Sequence, residues 1–271
     1  MLLAIDVGNT NSVIGVFEGQ QLRKIWRVST HPAGTSDEFR AKLRSLFAMD
    51  GIRESDIASV VVSSVVPPYT GMLRTAFKGS DLHVIDSSWP FSFTIGASPA
   101  TQVGADRLVN AEAVVRDFGA PAIVVDSGTA TTVCAIALQD GRPCYLGGAI
   151  MPGIELSMEA LAKNTAKLFA VELVAPARAI GTNTSEALRS GVLYGYAAMI
   201  DGMVRRFRAE LEELATPAGS SAEGAAPAKI RVVATGGVSL LLQGIASELT
   251  DIDPDLTLKG IAYLHESLRR Q

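Results

Sequence analysis

A 271-residue chain with 24 Lys and Arg against 28 Asp and Glu carries a formal charge of −4 and has no Lys/Arg-rich run, which disfavours a nucleic-acid partner. A hydrophobic content of 48% and a mean hydropathy of +0.26 predict a sizeable core in one or two domains. Two cysteines, Cys134 and Cys144, at no metal-type spacing fit buried, reduced thiols in a cytoplasmic protein, and no apolar stretch is long enough to span a bilayer. Aromatic residues make up only 6%, leaving Val, Ile, Leu and Ala as filling, the texture of parallel or mixed sheets covered by helices.

The first element is Leu2-Leu3-Ala4-Ile5, then Asp6-Val7-Gly8-Asn9-Thr10-Asn11, then Val13-Ile14-Gly15-Val16-Phe17. Two short apolar runs around a glycine-bearing polar turn predict a β-hairpin. Asp6 interrupts the opening apolar run after five residues, so no secretory h-region forms. Gly8 permits a backbone conformation closed to other residues, while Asn9, Thr10, Asn11 and Ser12 offer donors beside successive backbone N–H groups able to cradle an anion. Asp6, at a strand end, stands where a cation or a metal-bound water is held.

A third strand is expected over Leu22–Ser29, then a helix opened by Ser36 and Asp37 with Phe39, Leu43, Leu46 and Phe47 at helical spacing. Ile57–Val66 reads as a central strand stopped by Pro67-Pro68, followed by a helix over Tyr69–Phe77, a strand over Leu82–Ile85 and a loop through Pro99. This order builds a mixed sheet with crossover helices. Gly104-Ala105-Asp106-Arg107 then heads a helix that Gly119 stops. An Asp at a helix start ordinarily caps free N–H groups. Here Gly104 also permits close approach and Arg107 offers a planar fork for a carboxylate, so both readings of Asp106 stand.

The opening pattern returns at Ile123-Val124-Val125-Asp126-Ser127-Gly128-Thr129-Ala130-Thr131-Thr132-Val133, 120 residues after Asp6. One such turn is ordinary, since Asp and Gly favour turns. Two copies at nearly half-chain spacing predict a duplicated domain, 1–118 and 119–271, with the two halves facing each other across a phosphate. Gly147–Gly153 reads as a rigid Gly/Pro loop, Leu156–Leu168 as a helix, and Ser185–Leu214 as a long helix with Asn183 and Glu186 at capping-box spacing. Gly191, Gly195, Ala198 and Gly202 form a small-residue stripe on that helix, which suggests a closely packed backbone, its own sheet or a second subunit. Thr216–Lys229 reads as a flexible surface loop. Ile230–Thr235 reads as a strand leading through Gly236-Gly237 to a helix over Leu240–Leu249, and the tail from Asp255 holds a short apolar piece and a basic end.

No Gly-x-Gly occurs, which removes the dinucleotide and protein-kinase glycine loops, and no Gly precedes Lys, which removes a Walker-type loop. His31, His83 and His265 are scattered and make no metal site. Phosphate handling by the paired Asp/Gly hairpins remains.

On Asp6-Val7-Gly8-Asn9-Thr10, Ser64-Val65-Val66-Pro67, Gly104-Ala105-Asp106-Arg107, Asp126-Ser127-Gly128-Thr129, Gly147-Gly148-Ala149-Ile150-Met151-Pro152-Gly153, Gly181-Thr182-Asn183-Thr184 and Ala234-Thr235-Gly236-Gly237, the chain resembles the type III pantothenate kinases. These belong to the actin/hexokinase/Hsp70-like ATPase superfamily. The resemblance implies an α/β fold of two related RNase H-like (actin-like ATPase) domains with mixed sheets and crossover helices. It implies ATP-dependent phosphorylation of pantothenate, first step toward coenzyme A, by a homodimer needing Mg2+ with ATP and a monovalent cation, K+ or NH4+. Carried over by motif, Asp6, Val7, Gly8, Asn9, Thr10, Asn11, Ser12, Val13 and Thr129 bind ATP, and Asp126 ligates the monovalent cation. Gly104, Ala105, Asp106, Arg107 and Thr184 bind pantothenate, with Asp106 the proton acceptor.

Two departures stand out. Gly96–Gln102 lacks the tyrosine that many relatives place there, and Ser127 replaces a more usual apolar residue at a position expected to alternate away from the phosphate. Two other readings stay open: another small-molecule kinase of the superfamily, and a catalytically idle nucleotide-binding regulator, against which the joint presence of Asp6, Asp106 and Asp126 argues.

Overall fold

Leu2–Val7 forms the central strand β1 of the first sheet, pairing antiparallel with β2 (Asn11–Glu18) and parallel with β4 (Ser59–Ser64). The computed structural model describes residues 1–164, 171–215 and 229–270. With β3 (Gln21–Ser29) and β5 (Leu82–Val84), the sheet order is β3-β2-β1-β4-β5. A central strand must be apolar on both faces. Leu3, Ile5 and Val7 pack with Phe39 and Leu43 of α1 (Ser36–Met49) and Tyr69 and Leu73 of α2 (Pro67–Ala76). Leu2 and Ala4 pack on the other face with Val109 of α3 (Ala105–Phe118).

The second sheet repeats the plan. After β6 (Thr94–Ile95) come β7 (Ala122–Ser127), β8 (Ala130–Gln139) and β9 (Arg142–Pro152), then α4 (Ile154–Asn164), α5 (Thr184–Ala215), β10 (Arg231–Thr235) and β11 (Asp251–Ile252). Its order is β11-β10-β7-β8-β9-β6, so β9-β8-β7-β10-β11 matches β3-β2-β1-β4-β5 strand for strand, with β6 added at one edge. Ile123, Val125 and Val133 pack under Leu193, Tyr196, Ile200 and Val204 of α5. The mixed α/β fold expected from the sequence, two related RNase H-like halves, is present in this duplication.

The chain does not divide at one cut. Its two compact units comprise Met1–Ser92, Ser98–Ala113 and the segment from Leu256, against Phe93–Ala97 and Val114–Asp255. The tail forms α6 (Leu256–Arg269), whose Leu258, Ile261 and Leu264 are buried with Leu2 and Ala4 of β1, so the C-terminal helix belongs to the first unit instead of closing the second. Gly260 lies so close to Val109 that a Cβ would overlap the Val109 carbonyl.

Several elements differ from expectation. The residues expected to form a rigid loop at Gly147–Gly153 are strand through Pro152, because Gly147, Gly148 and Ala149 pair with Ala135, Cys134 and Val133 despite poor strand propensity. The loop expected before Pro99 contains β6, held by Cys144 and Tyr145. Pro67 starts α2 instead of merely ending a strand, a position where its missing N–H costs nothing. A reciprocal capping box between Thr35 and Glu38 sets the start of α1. The helix expected at Leu240–Leu249 is a single 3₁₀ turn, Ser239–Leu242, with the left-handed Gly244 beyond it. The end of the helix expected at Leu168 and nearly all of the loop expected at Thr216–Lys229 lie outside the described residues. No helix among the described residues is long and apolar enough to cross a membrane.

Candidate active site

The turn after β1 is tied down by backbone and hydroxyl bonds. Gly8 N–H donates to the Asn11 carbonyl at 3.1 Å, and a Cβ on Gly8 would stand 3.0 Å from that oxygen. Thr30 N–H donates to the Thr10 carbonyl at 2.9 Å, and Thr30 Oγ1 donates to the Gly8 carbonyl at 2.8 Å. With the Thr30 proton used there, Ser12 Oγ, 2.9 Å away, donates to Thr30 Oγ1. The donor expected of the Ser12 side chain is therefore spent inside the fold, and Val7 and Ser12 are both buried. Asn9 and Thr10 are exposed, while Asp6, Gly8 and Asn11 are half-buried. Val13 packs partly into the core beneath β1, so Val7, Ser12 and Val13 have only backbone to offer a ligand.

The turn after β7 has the same build. Gly128 N–H donates to the Ala130 carbonyl at 3.2 Å, and Gly153 N–H donates to the Thr129 carbonyl at 3.2 Å. A Cβ on Gly153 would overlap the carbonyl oxygens of Gly128 and Thr129. Gly236, at φ +93°, approaches equally closely: its Cβ would stand 2.6 Å from the Ser127 carbonyl oxygen and 2.7 Å from Asp126 Oδ1. Gly153 and Gly236 are thus glycine because neighbouring backbone and a carboxylate oxygen occupy the Cβ position, a role their sequence did not disclose. Thr129 is exposed and Asp126 half-buried.

Asp106 lies in the first turn of α3. Its Oδ1 accepts Arg107 N–H at 2.8 Å, and the Gly104 carbonyl accepts Arg107 N–H at 3.1 Å. A Cβ on Gly104 would overlap Asp106 Oδ1, so glycine there gives the carboxylate its room. Burial pushes the Asp106 carboxyl above the usual carboxylate range, opposed by the N–H and the positive charge of Arg107. Helix capping alone would lower it. Val65 links this end of α3 to the first turn: its N–H donates to the Val7 carbonyl at 3.1 Å, and its Cγ1 lies 3.5 Å from the Gly104 Cβ position. A pocket of about 590 Å³ opens alongside, lined by Ser64, Val65, Asp86, Gln102, Gly104 and Ala105. Both features stand at the carboxyl ends of β1 and β4, the edge where α/β sheets bind ligands.

Thr184 is exposed at the start of α5. Asn183 Oδ1 accepts Glu186 N–H at 3.0 Å, and the Glu186 carboxylate accepts Thr182 N–H and Oγ1–H, each at 2.8 Å, which holds that carboxyl below its usual range. Half the expected capping box forms, with Thr182 replacing Asn183 as the second partner. At Gly96, the first residue of the segment expected to lack an aromatic, a Cβ would stand 3.0 Å from Cys144 Sγ and 3.3 Å from the Tyr145 carbonyl, leaving little room for a side chain. Among the described residues, no group of three or more His, Cys, Asp or Glu could hold a metal by itself.

Within the first unit the structure gathers the Asp6–Asn11 turn, Val65, Gly104 and Asp106; within the second it gathers Asp126, Gly128, Thr129, Gly153 and Gly236. Sequence reasoning missed Thr30, which acts through its hydroxyl and carries no motif signal of its own, and it named Val65 within the Ser64–Pro67 motif without assigning it a role.

A family model described as type III pantothenate kinase matches residues 2–206. A type III pantothenate kinase from Rubrobacter xylanophilus is 45% identical over 271 residues, covering 98% of this chain and 97% of the relative. One from Anaeromyxobacter dehalogenans is 41% identical over 272 residues, covering 99% and 100%. Among solved structures, a protein described as a Baf family transcriptional activator from Campylobacter jejuni superposes with a TM-score of 0.60 at 18% identity, covering 99% of this chain and 100% of that one. A protein described as an N-acetylglucosamine kinase from Porphyromonas gingivalis gives 0.52 at 13% identity, covering 99% and 100%. At such identities these two structures speak to the fold alone.

Proposed function

Because the chain belongs to the type III pantothenate kinase family, we propose that it transfers the γ-phosphoryl group of ATP to the primary hydroxyl of pantothenate, the first step toward coenzyme A. One observation carries the reading of the site: the Asp106 carboxyl is half-buried, raised in pKa by desolvation, and set beside a pocket at the same strand ends as the Asp6 turn. The hydroxyl oxygen bonds to the γ-phosphorus as the bond to the β-phosphate oxygen breaks. Its proton passes to ionised Asp106, and ADP leaves with the other oxygen. A base so placed contributes ~10²–10⁴-fold.

The remaining roles follow from the chemistry of each group. The N–H groups and side chains of Gly8, Asn9, Thr10 and Asn11, with Thr129 in the second turn, bind ATP phosphates. Such catalysis is mostly positioning and charge neutralisation. Asp6 offers the single carboxylate that Mg2+ bound to ATP needs, since Mg2+ takes one or two carboxylates and substrate phosphates in place of a protein cage. Arg107 holds the pantothenate carboxylate or orients Asp106, and Gly104, Ala105 and Thr184 complete the acceptor site. Asp126 Oδ1 and the Ser127 carbonyl oxygen both lie against Gly236, hard-oxygen donors of the kind K+ or NH4+ takes. When bound, that cation adds positive charge beside the phosphates.

The working form is a homodimer in the cytoplasm. The support is the α5 stripe: at Gly191, Gly195 and Gly202 an added Cβ would meet nothing within 4 Å, so the chain's own sheet is not the close neighbour. The test is ATP turnover with pantothenate, in potassium and again in sodium, with mass spectrometry of the product. Pantothenate-dependent ADP release and 4'-phosphopantothenate are expected, faster in potassium. Turnover indifferent to pantothenate would end the reading.

A further inference from the structure

The second turn is braced from the core side by a hydroxyl pair. Tyr196 on α5 and Thr131 on β8 are both buried, and the Tyr196 hydroxyl lies 2.6 Å from Thr131 Oγ1. Thr131 Oγ1 donates its one proton to the Pro152 carbonyl at 3.4 Å, so Tyr196 is the donor to Thr131. The next residue, Gly153, donates its N–H to the Thr129 carbonyl at 3.2 Å. A continuous path thus runs from the Tyr196 hydroxyl through Thr131 and the Pro152-Gly153 peptide to Thr129.

This arrangement is polar where an apolar one would pack as well. Ser127 pairs with Thr131 across β7 and β8, is 1% exposed, and its hydroxyl also faces that of Tyr196. Buried hydroxyls of this kind are costly to keep, and each needs an explanation. The first turn carries a parallel device, with Ser12 donating to Thr30, Thr30 donating to the Gly8 carbonyl, and the buried Tyr69 of α2 facing Ser12.

We propose that Tyr196 is a positioning residue for the nucleotide, holding the Gly128–Ala130 turn through Thr131 so that Thr129 meets ATP already oriented. The proposal rests on the reading of that turn as an ATP contact. It needs no contact between Tyr196 and the ligand. Preorganisation of this kind is read in affinity for the ligand the turn binds, whereas loss of packing alone is read in stability.

Tyr196→Phe, Thr131→Val, the double variant and Thr131→Ser are compared with the parent. The measurements are the Kd of a non-hydrolysable ATP analogue by calorimetry, KM for ATP and for pantothenate, and Tm. Each of the first two should weaken the analogue about fivefold, the loss of one neutral hydrogen bond. The double variant should weaken it no further, since both break one path. Thr131→Ser should keep parental affinity, and KM for pantothenate should stay within about twofold of the parent. Should Tyr196→Phe not fold, the Thr131 pair decides alone. Parental analogue affinity in Thr131→Val, or losses that multiply in the double variant, would overturn the proposal while leaving the kinase reading intact. A parent that phosphorylates pantothenate but loses no ATP affinity on Thr129→Ala would overturn the turn assignment and the proposal with it.

Discussion

Gly153 donates its backbone N–H to the Thr129 carbonyl at 3.2 Å, and a Cβ added at Gly153 would overlap that same oxygen. The obstruction is backbone, not the end of a flexible side chain, so the Gly128-Thr129 turn itself must shift. Gly153→Ala is expected to raise KM for ATP by about tenfold or more and to cost about 1–3 kcal/mol of stability through overpacking. Steady-state kinetics and thermal melts check it. Unchanged ATP kinetics would mean the turn does not hold nucleotide.

Asp106→Asn separates catalysis from stability. Loss of the base should lower turnover by ~10²–10⁴-fold with ATP-analogue binding retained. The stability effect has the opposite sign. Burial raises the folded-state pKa of Asp106, so its contribution is fully present below the unfolded value of about 3.9 and is lost as pH rises through the folded value. The variant should therefore melt above the parent at pH 7, with the gap closing toward about pH 4. The acid limb of parental turnover should likewise fall above the usual carboxylate range. A variant that melts below the parent at pH 7 would show the carboxylate to be a stabilising cap instead of a strained base.

Gly236→Ala tests the proposed cation site. Gly236 has φ +93°, and a Cβ would stand 2.7 Å from Asp126 Oδ1. Strain in that backbone region costs about 1–3 kcal/mol, and the Asp126 carboxylate must move. The potassium concentration for half-maximal activity is expected to rise severalfold, with KM for pantothenate little changed. A parental potassium response would remove Asp126 from the cation site.

These sites differ in how far the sequence disclosed them. The hairpins at Asp6 and Asp126 were legible because each couples two short apolar runs to a glycine turn, and their repetition at half-chain spacing announced the duplicated sheet. Strand β9 was not, because Gly147, Gly148 and Pro152 read as loop while cross-strand pairing to β8 overrides propensity. The seat of α6 on the first sheet was equally hidden, since a short apolar tail does not say which half it covers. The Gly-Ala-Asp-Arg element announced Asp106, but not its raised pKa, which comes from tertiary burial. Thr30 and Tyr196 act through contacts to other elements and leave no local pattern.

Gly260 shows the same limit from the stability side. In an ordinary helix Gly→Ala stabilises by about 1 kcal/mol. Here the Cβ would overlap the Val109 carbonyl and stand 2.8 Å from Val109 Cγ1, where α6 meets α3. Gly260→Ala is expected to destabilise by about 1–3 kcal/mol, read by denaturant midpoint. A stabilised variant would show that α6 does not seat there.

Gly195 on α5 is the reverse case. It is exposed, and an added Cβ would meet nothing within 4 Å, so the single chain has no steric need for glycine there. Gly195→Ala in an isolated protomer should gain about 1 kcal/mol from helix propensity, yet the stripe with Gly191, Ala198 and Gly202 is where we place the second copy. A longer, charged side chain distinguishes the two demands, because it spares the protomer and obstructs close backbone approach. Gly195→Arg is expected to sediment as a monomer with its helical circular dichroism intact, where the parent sediments as a dimer. A variant that remains dimeric at the same concentration would move the interface off this face of α5.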